Sequence, residues 1–202
     1  CGGGPDGVHF ETVDTEFSKG RLGHQQQHDR EDLVQFHGHR CDGLVVGALA
    51  MEQVRRELYP GQPLDRTNLR AVSRPAPCLT DVALYLSGGR YQYHTFYVDP
   101  GLEVLFVVQR IDNGRALSVA LRPGIKPAAI DSLGARAVAG KLAPCKLDHL
   151  RALEVDFSET LLQADPDTLF TLRERPDFEW EPRAKNDYRK ADVLNKDLPA
   201  CD

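Results

Sequence analysis

The chain has 202 residues, of which 41% are hydrophobic and 27% charged, enough to bury one good core and carry a small appendage. Its 30 acidic and 25 basic residues are mixed along the chain and leave a net charge of -5; with no basic block to neutralise a run of phosphates, nucleic acid is excluded as the expected partner. No apolar stretch approaches the roughly 20 residues that a membrane-spanning helix needs.

The first residues, Cys1-Gly2-Gly3-Gly4-Pro5-Asp6-Gly7, read as a flexible tether. They look like the mature end of a bacterial lipoprotein, in which a lipid on the leading Cys anchors the domain outside the cytoplasmic membrane. On that reading the protein is periplasmic or at the cell surface, touching membrane only through Cys1; if the chain has simply been cut at that residue, it is cytoplasmic. His9, His24 and His28 follow in a segment that is polar throughout, and the tether is expected to extend to residue 28. Asp29-Arg30-Glu31-Asp32 then opens a brief helix that delivers the chain to His37.

The stretch around which the rest is organised is Phe36-His37-Gly38-His39-Arg40-Cys41-Asp42-Gly43-Leu44. In an extended segment alternate side chains point the same way, so an H-x-H-x-C box can aim two imidazoles and one thiolate at one point. Such donors suit zinc and, less exclusively, nickel, iron or copper, and disfavour calcium and magnesium. Asp42 is expected to cap a helix from Gly43 to Leu58, whose first half is apolar and whose second half is charged. Gly43 and Gly47, four apart, would let another backbone come close to the buried end.

Asn68 to Ser73 reads as a strand, and Cys78 precedes a second helix that stops at Gly88-Gly89. Tyr91 to Val98, Glu103 to Arg110 and Ala116 to Leu121 alternate as three strands of an antiparallel meander. Helical spacing follows over Ala128 to Gly140, Leu147 to Leu162 and Pro166 to Glu174, and Arg175 to Asp202 reads as a polar tail over the surface. The expected architecture is α+β, an antiparallel sheet meander packed with helices, with a single core domain over residues 29–174. Cys145 and Cys201 can form a disulfide outside the cytoplasm, stabilising by roughly 3–5 kcal/mol if unstrained, or remain free thiols inside it.

Phe36-His37-Gly38-His39-x-Cys41-x-Gly43-Leu44-x-x-Gly47, followed by Cys78-x-x-Asp81-Val82, resembles the signature of the formylmethanofuran dehydrogenase E-subunit family. The resemblance covers about residues 30–125 and is more specific than a lone short motif. It implies an α+β core, an intertwined homodimer, and a metal bound by His and Cys of the first motif with the Cys of the second. The chain departs from the family pattern where Asp42 replaces Pro, where Ser87-Gly88-Gly89-Arg90 replaces a Thr-Gly-Cys-Thr turn, and where Gln92-Tyr93-His94-Thr95 replaces a Gly-Lys-Gly-Asn-like stretch. The paired CxxC motifs of some members are absent, and nothing in the residues points to methanogenesis.

The candidate ligands are therefore His37, His39, Cys41 and Cys78, with zinc, or alternatively nickel or iron, as the bound ion. Spacing and resemblance agree on His39 and Cys41. Cys78 is the natural further ligand, or else a buried small hydrophobe. If the chain bends at Gly38, His37 instead serves as a neighbour that hydrogen-bonds or takes a proton. Asp81 is a candidate acceptor or general base beside the metal, or a helix-capping carboxylate; His94 either joins the site or faces solvent. Two functions follow. One is an extracytoplasmic metal-binding protein that captures, senses or hands on the ion, or serves a larger redox enzyme. The other is an enzyme acting on a small molecule at an open coordination position. A redox pair of Cys41 and Cys78 is a third, weaker reading, because they are not in a C-x-x-C pair.

Overall fold

The computed structural model describes residues 8–16 and 19–181. Among these residues, eight strands and six helices build two sheets, in the orders β2-β1-β3 and β5-β4-β6-β7-β8, with the helices packed on them. The α+β class stands.

The smaller sheet lies where a polar lead-in was expected. β1 (Phe10–Glu16) pairs antiparallel with β2 (Lys19–His28), so that Phe10 faces His28, and β3 (Leu64–Asp65) joins β1 in parallel. Residues 10–16 and 19–28 therefore form strands where a tether was expected; the lipidated-Cys reading falls on residues 1–7, outside the described ones. The hairpin escapes sequence reading because only Gly20 and His28 of β2 are buried, leaving no apolar alternation. Its inner strand is held by Phe10 and Thr12, both fully buried.

α1 (Arg30–His37) starts on a reciprocal cap: Asp29 accepts from the Asp32 N–H at 3.1 Å, and Asp32 accepts from the Asp29 N–H at 2.9 Å. It ends at Gly38, whose φ of 103° is left-handed and whose N–H closes on the Val34 carbonyl at 2.7 Å. α2 (Asp42–Leu58) is the central helix, with residues Leu44 to Met51 all buried. Its N-cap is Cys41, not Asp42, and no side chain caps it. Asp42 sits one position inside, buried, with its carboxylate 3.6 Å from Lys126.

α3 (Pro77–Ser87) begins with Pro at its first position, where a missing N–H costs nothing, and ends at left-handed Gly88. It packs along α2 through glycine: a Cβ on Gly43 would lie 2.8 Å from Cys78 Cβ, and one on Gly47 3.1 Å from Val82 Cβ. The expected close approach is thus made by α3.

The larger sheet differs from a simple meander. β4 (Leu69–Ser73) pairs antiparallel with β6 (Phe106–Arg110) and parallel with β5, which spans only Phe96–Val98. Tyr91–Tyr93 form a 3-10 turn that ends on His94 at φ 53°, so the expected strand over Tyr91 to Val98 is mostly turn. β7 (Ala116–Leu121) continues antiparallel. After α4 (Ala128–Val138) and α5 (Pro144–Gln163), the segment Pro166 to Glu174 is not one helix: α6 (Pro166–Leu169) gives way to β8 (Phe170–Glu174), which completes the sheet beside β7.

Beyond β8, Phe178 and Trp180 pack against Val72, Val107 and Ala116, with Trp180 Nε1 donating to the His94 carbonyl at 3.1 Å and Arg70 4.5 Å over its ring. The tail is anchored that far. Cys145 is exposed, and its expected partner, Cys201, lies outside the described residues.

Candidate metal centre

Three helix ends meet at one corner: the C-terminus of α1 and the N-termini of α2 and α3. They bring His37, Cys41 and Cys78 together, with one ligand atom from each lying within 4.8 Å of the others. The two sulfurs are 2.9 Å apart, the Cys41 thiol donating to Cys78. That hydrogen bond holds the Cys78 thiol below its ordinary value, while the same bond and burial push Cys41 up. Both cysteines stand at the start of a helix, where the positive end of the dipole favours a thiolate.

His37 supplies the nitrogen. Its side chain is 6% exposed, and Nδ1 lies 2.8 Å from Asp81 Oδ2. A carboxylate only accepts, so Nδ1 carries the hydrogen and the lone pair is left on Nε2. Nε2 is buried and has no hydrogen-bond partner. A buried polar atom without a partner costs about 1–3 kcal/mol, a cost that an ion on Nε2 would remove. Asp81 fixing the tautomer and ring of a ligating histidine is the usual outer arrangement of a metal site. One imidazole and two thiolates are a donor set that suits zinc and the softer divalent ions, and His37, Cys41 and Cys78 would hold such an ion.

The remaining candidates fall outside this group. His39 is exposed, and its ring lies 4.5 Å from that of His37 at 39°. The extended H-x-H-x-C geometry is not formed: His37 is the last helical residue and Gly38 turns the chain in the left-handed region, so the alternation that would align the two imidazoles never applies. His94 is half-buried at the end of the 3-10 turn, and its carbonyl is engaged by Trp180. Phe36 of the motif leaves the site altogether and packs against Tyr85, ring centroids 5.2 Å apart.

Two cavities border the thiols. One, about 450 Å³, is lined by His39 and Cys41 together with α5; the other, about 410 Å³, is lined by Asp42, Gly43, Cys78 and Lys126. Lys126 reaches Asp131 at 3.0 Å as well as Asp42, tying the start of α4 to the start of α2. No motif announced α5 or Lys126 as neighbours of the centre, since they lie far along the chain and are brought there by packing alone.

No curated protein matches this chain. Among solved structures, the crystal structure of a tungsten formylmethanofuran dehydrogenase E-subunit (FmdE)-like protein from Syntrophus aciditrophicus is 19% identical, with 78% of this chain and 79% of that chain covered and a TM-score of 0.44. The family model described as FmdE, molybdenum formylmethanofuran dehydrogenase operon, matches residues 36–171, which include the whole candidate centre and more than half of the chain; the chain belongs to the FmdE family.

Proposed function

We propose that this protein binds one transition-metal ion per chain, zinc first among the candidates and nickel or iron next, through His37, Cys41 and Cys78, and that it captures or hands on that ion or serves a redox enzyme as an accessory. The observation that carries the reading is the bare, buried Nε2 of His37 in a cluster with two thiols, its other nitrogen held by Asp81. Membership of the FmdE family supports it, and homodimer assembly, which the resemblance implies, belongs to the same proposal.

A second reading has an observation of its own. Three protein donors leave a fourth position open, and a cavity of about 450 Å³ is lined by Cys41. Zinc in such a site supplies Lewis acidity and lowers the pKa of bound water to about 7. That chemistry would make the protein an enzyme acting on a small molecule.

Metal content by inductively coupled plasma mass spectrometry tests the shared premise, on protein purified without chelator or nickel affinity resin. Wild type is expected to hold about one equivalent, and Cys41→Ser and Cys78→Ser to lose it. A metal-free wild type would sink the premise and return the two cysteines to a thiol redox reading. Cobalt substitution then separates the two functions: a visible spectrum that shifts on adding azide marks an open position, and one that does not marks a closed carrier site.

A further inference from the structure

Helix packing holds Cys41 and Cys78 together. Cys41 is the N-cap of α2 and Cys78 the second residue of α3, and the two helices meet at Gly43, where an added Cβ would lie 2.8 Å from the Cβ of Cys78. The sulfurs end up 2.9 Å apart. A disulfide bond is about 2.05 Å long, so less than about 1 Å of movement separates this pair from a covalent link. Neither sulfur is sealed in the core. Both residues are half-buried, Cys41 on the wall of the cavity against α5 and Cys78 on the wall of the one that contains Lys126, each roomy enough for a peroxide-sized molecule. The third described free cysteine, Cys145, is exposed and is not in the cluster.

We propose that the metal centre is also a redox switch: a peroxide links Cys41 to Cys78, and the disulfide releases the ion. This switch rests on the metal reading and is the regulation of the same site. In the first step one sulfur attacks the peroxide; the O–O bond breaks, a water leaves and that cysteine becomes a sulfenic acid. The second sulfur, 2.9 Å away, then displaces the sulfenic hydroxyl as a second water and forms the S–S bond. Counted as thiols, the cysteines lose two electrons and two protons, and the peroxide gains them. Where the ion has already displaced the thiol protons, solvent supplies them. The nearby partner thereby traps the sulfenic acid before it is oxidised further to sulfinic acid. The fate of the ion follows from the donor count. Thiolates, and not disulfide sulfurs, are its ligands, so the link takes away two of the three donors and leaves His37 alone. A small dithiol reverses the step by exchange, returning the two electrons and two protons and restoring the donors.

The test uses the full chain, reduced, loaded with zinc, desalted and titrated anaerobically with hydrogen peroxide. A chromophoric chelator reads zinc release, and peptide mapping by mass spectrometry locates the bond. The expected result is about one zinc released per Cys41–Cys78 link, with zinc uptake regained after dithiothreitol. Cys145→Ser is expected to release zinc in step with wild type; slower release would assign the oxidation to the exposed thiol and overturn the switch. Zinc that stays bound in excess peroxide, zinc that leaves without the link, or cysteines carried to sulfinic acid would each overturn the switch and leave the metal centre standing. A wild type that takes up no zinc before peroxide is added would overturn both.

Discussion

Two histidines with buried rings, 9 residues apart in sequence at the two ends of one stretch, show opposite uses of the same side chain. His28, at the end of β2, has both nitrogens engaged: Nε2 lies 3.0 Å from Thr12 Oγ1 and Nδ1 3.0 Å from the Tyr85 hydroxyl. Hydroxyls donate or accept as required, so either tautomer is satisfied and the ring is closed to any further ligand. His37, at the end of α1, has Asp81 on one nitrogen and nothing on the other. Burial does not distinguish them. What does is whether the second nitrogen has a partner, and only the unpartnered ring has two thiols for company.

The sharpest way to break that contrast is to remove each ring in turn. His37→Ala is expected to lose metal by more than the roughly 10–100-fold typical of a residue outside the ligand set, read by competition with a chromophoric chelator, while leaving the fold intact. His28→Ala should do the reverse, keeping metal affinity and lowering stability by about 2–3 kcal/mol through a cavity and two stranded hydroxyls, read by denaturant unfolding. Equal metal loss in both variants would mean that His37 acts through the fold. Next in size is Asp81→Asn, which keeps the shape of the side chain and removes its charge. It is expected to weaken metal binding roughly 10–100-fold by releasing the His37 tautomer; an unchanged affinity would show that Asp81 only caps its surroundings.

A smaller effect separates the rings by pH. Burial, and then the nearby Arg66 charge, hold His28 below its ordinary value of 6.5. The unfolded chain therefore takes up the proton more readily than the folded one, so this contribution is complete above 6.5 and is lost as pH falls below it. Thermal unfolding of metal-free protein between about pH 7.5 and pH 5 should show a steeper decline for wild type than for His28→Gln. Parallel curves would remove His28 from the account.

How much of this was legible depended on whether a signal was local. The cap at Asp29, the stop at Gly88 and the glycine contacts of Gly43 and Gly47 are written in short spacings, and so is the presence of Cys41 and Cys78 at helix starts. The hairpin was not, because β2 is solvent-facing along almost its whole length and its pairing is decided by the strand opposite. Nor was β8, whose Phe170 to Glu174 carry apolar residues that suit a helix as well as a sheet edge until β7 stands beside them. Of the residues expected at the site, the structure brings Cys41, Cys78 and His37 together with Asp81 beside His37, and the backbone angle at Gly38 sets His39 apart from that group.

That choice gives the smallest expected effect and the most direct check on the corner's geometry. An H-x-H-x-C run in an extended chain would point both imidazoles the same way, and His39 would then be as good a ligand as His37. Instead Gly38 takes a φ of 103° and closes α1, leaving His39 on the exposed side against the His37 ring and on the wall of the cavity. Substituting an exposed side chain changes free energies by about 0.5 kcal/mol or less, so His39→Ala is expected to hold metal within about twofold of wild type. The same chelator competition reads it. A loss as large as that of His37→Ala would mean that the chain unwinds at Gly38 when metal binds, bringing both histidines onto the ion, and that the helix end seen here is the metal-free arrangement of the corner.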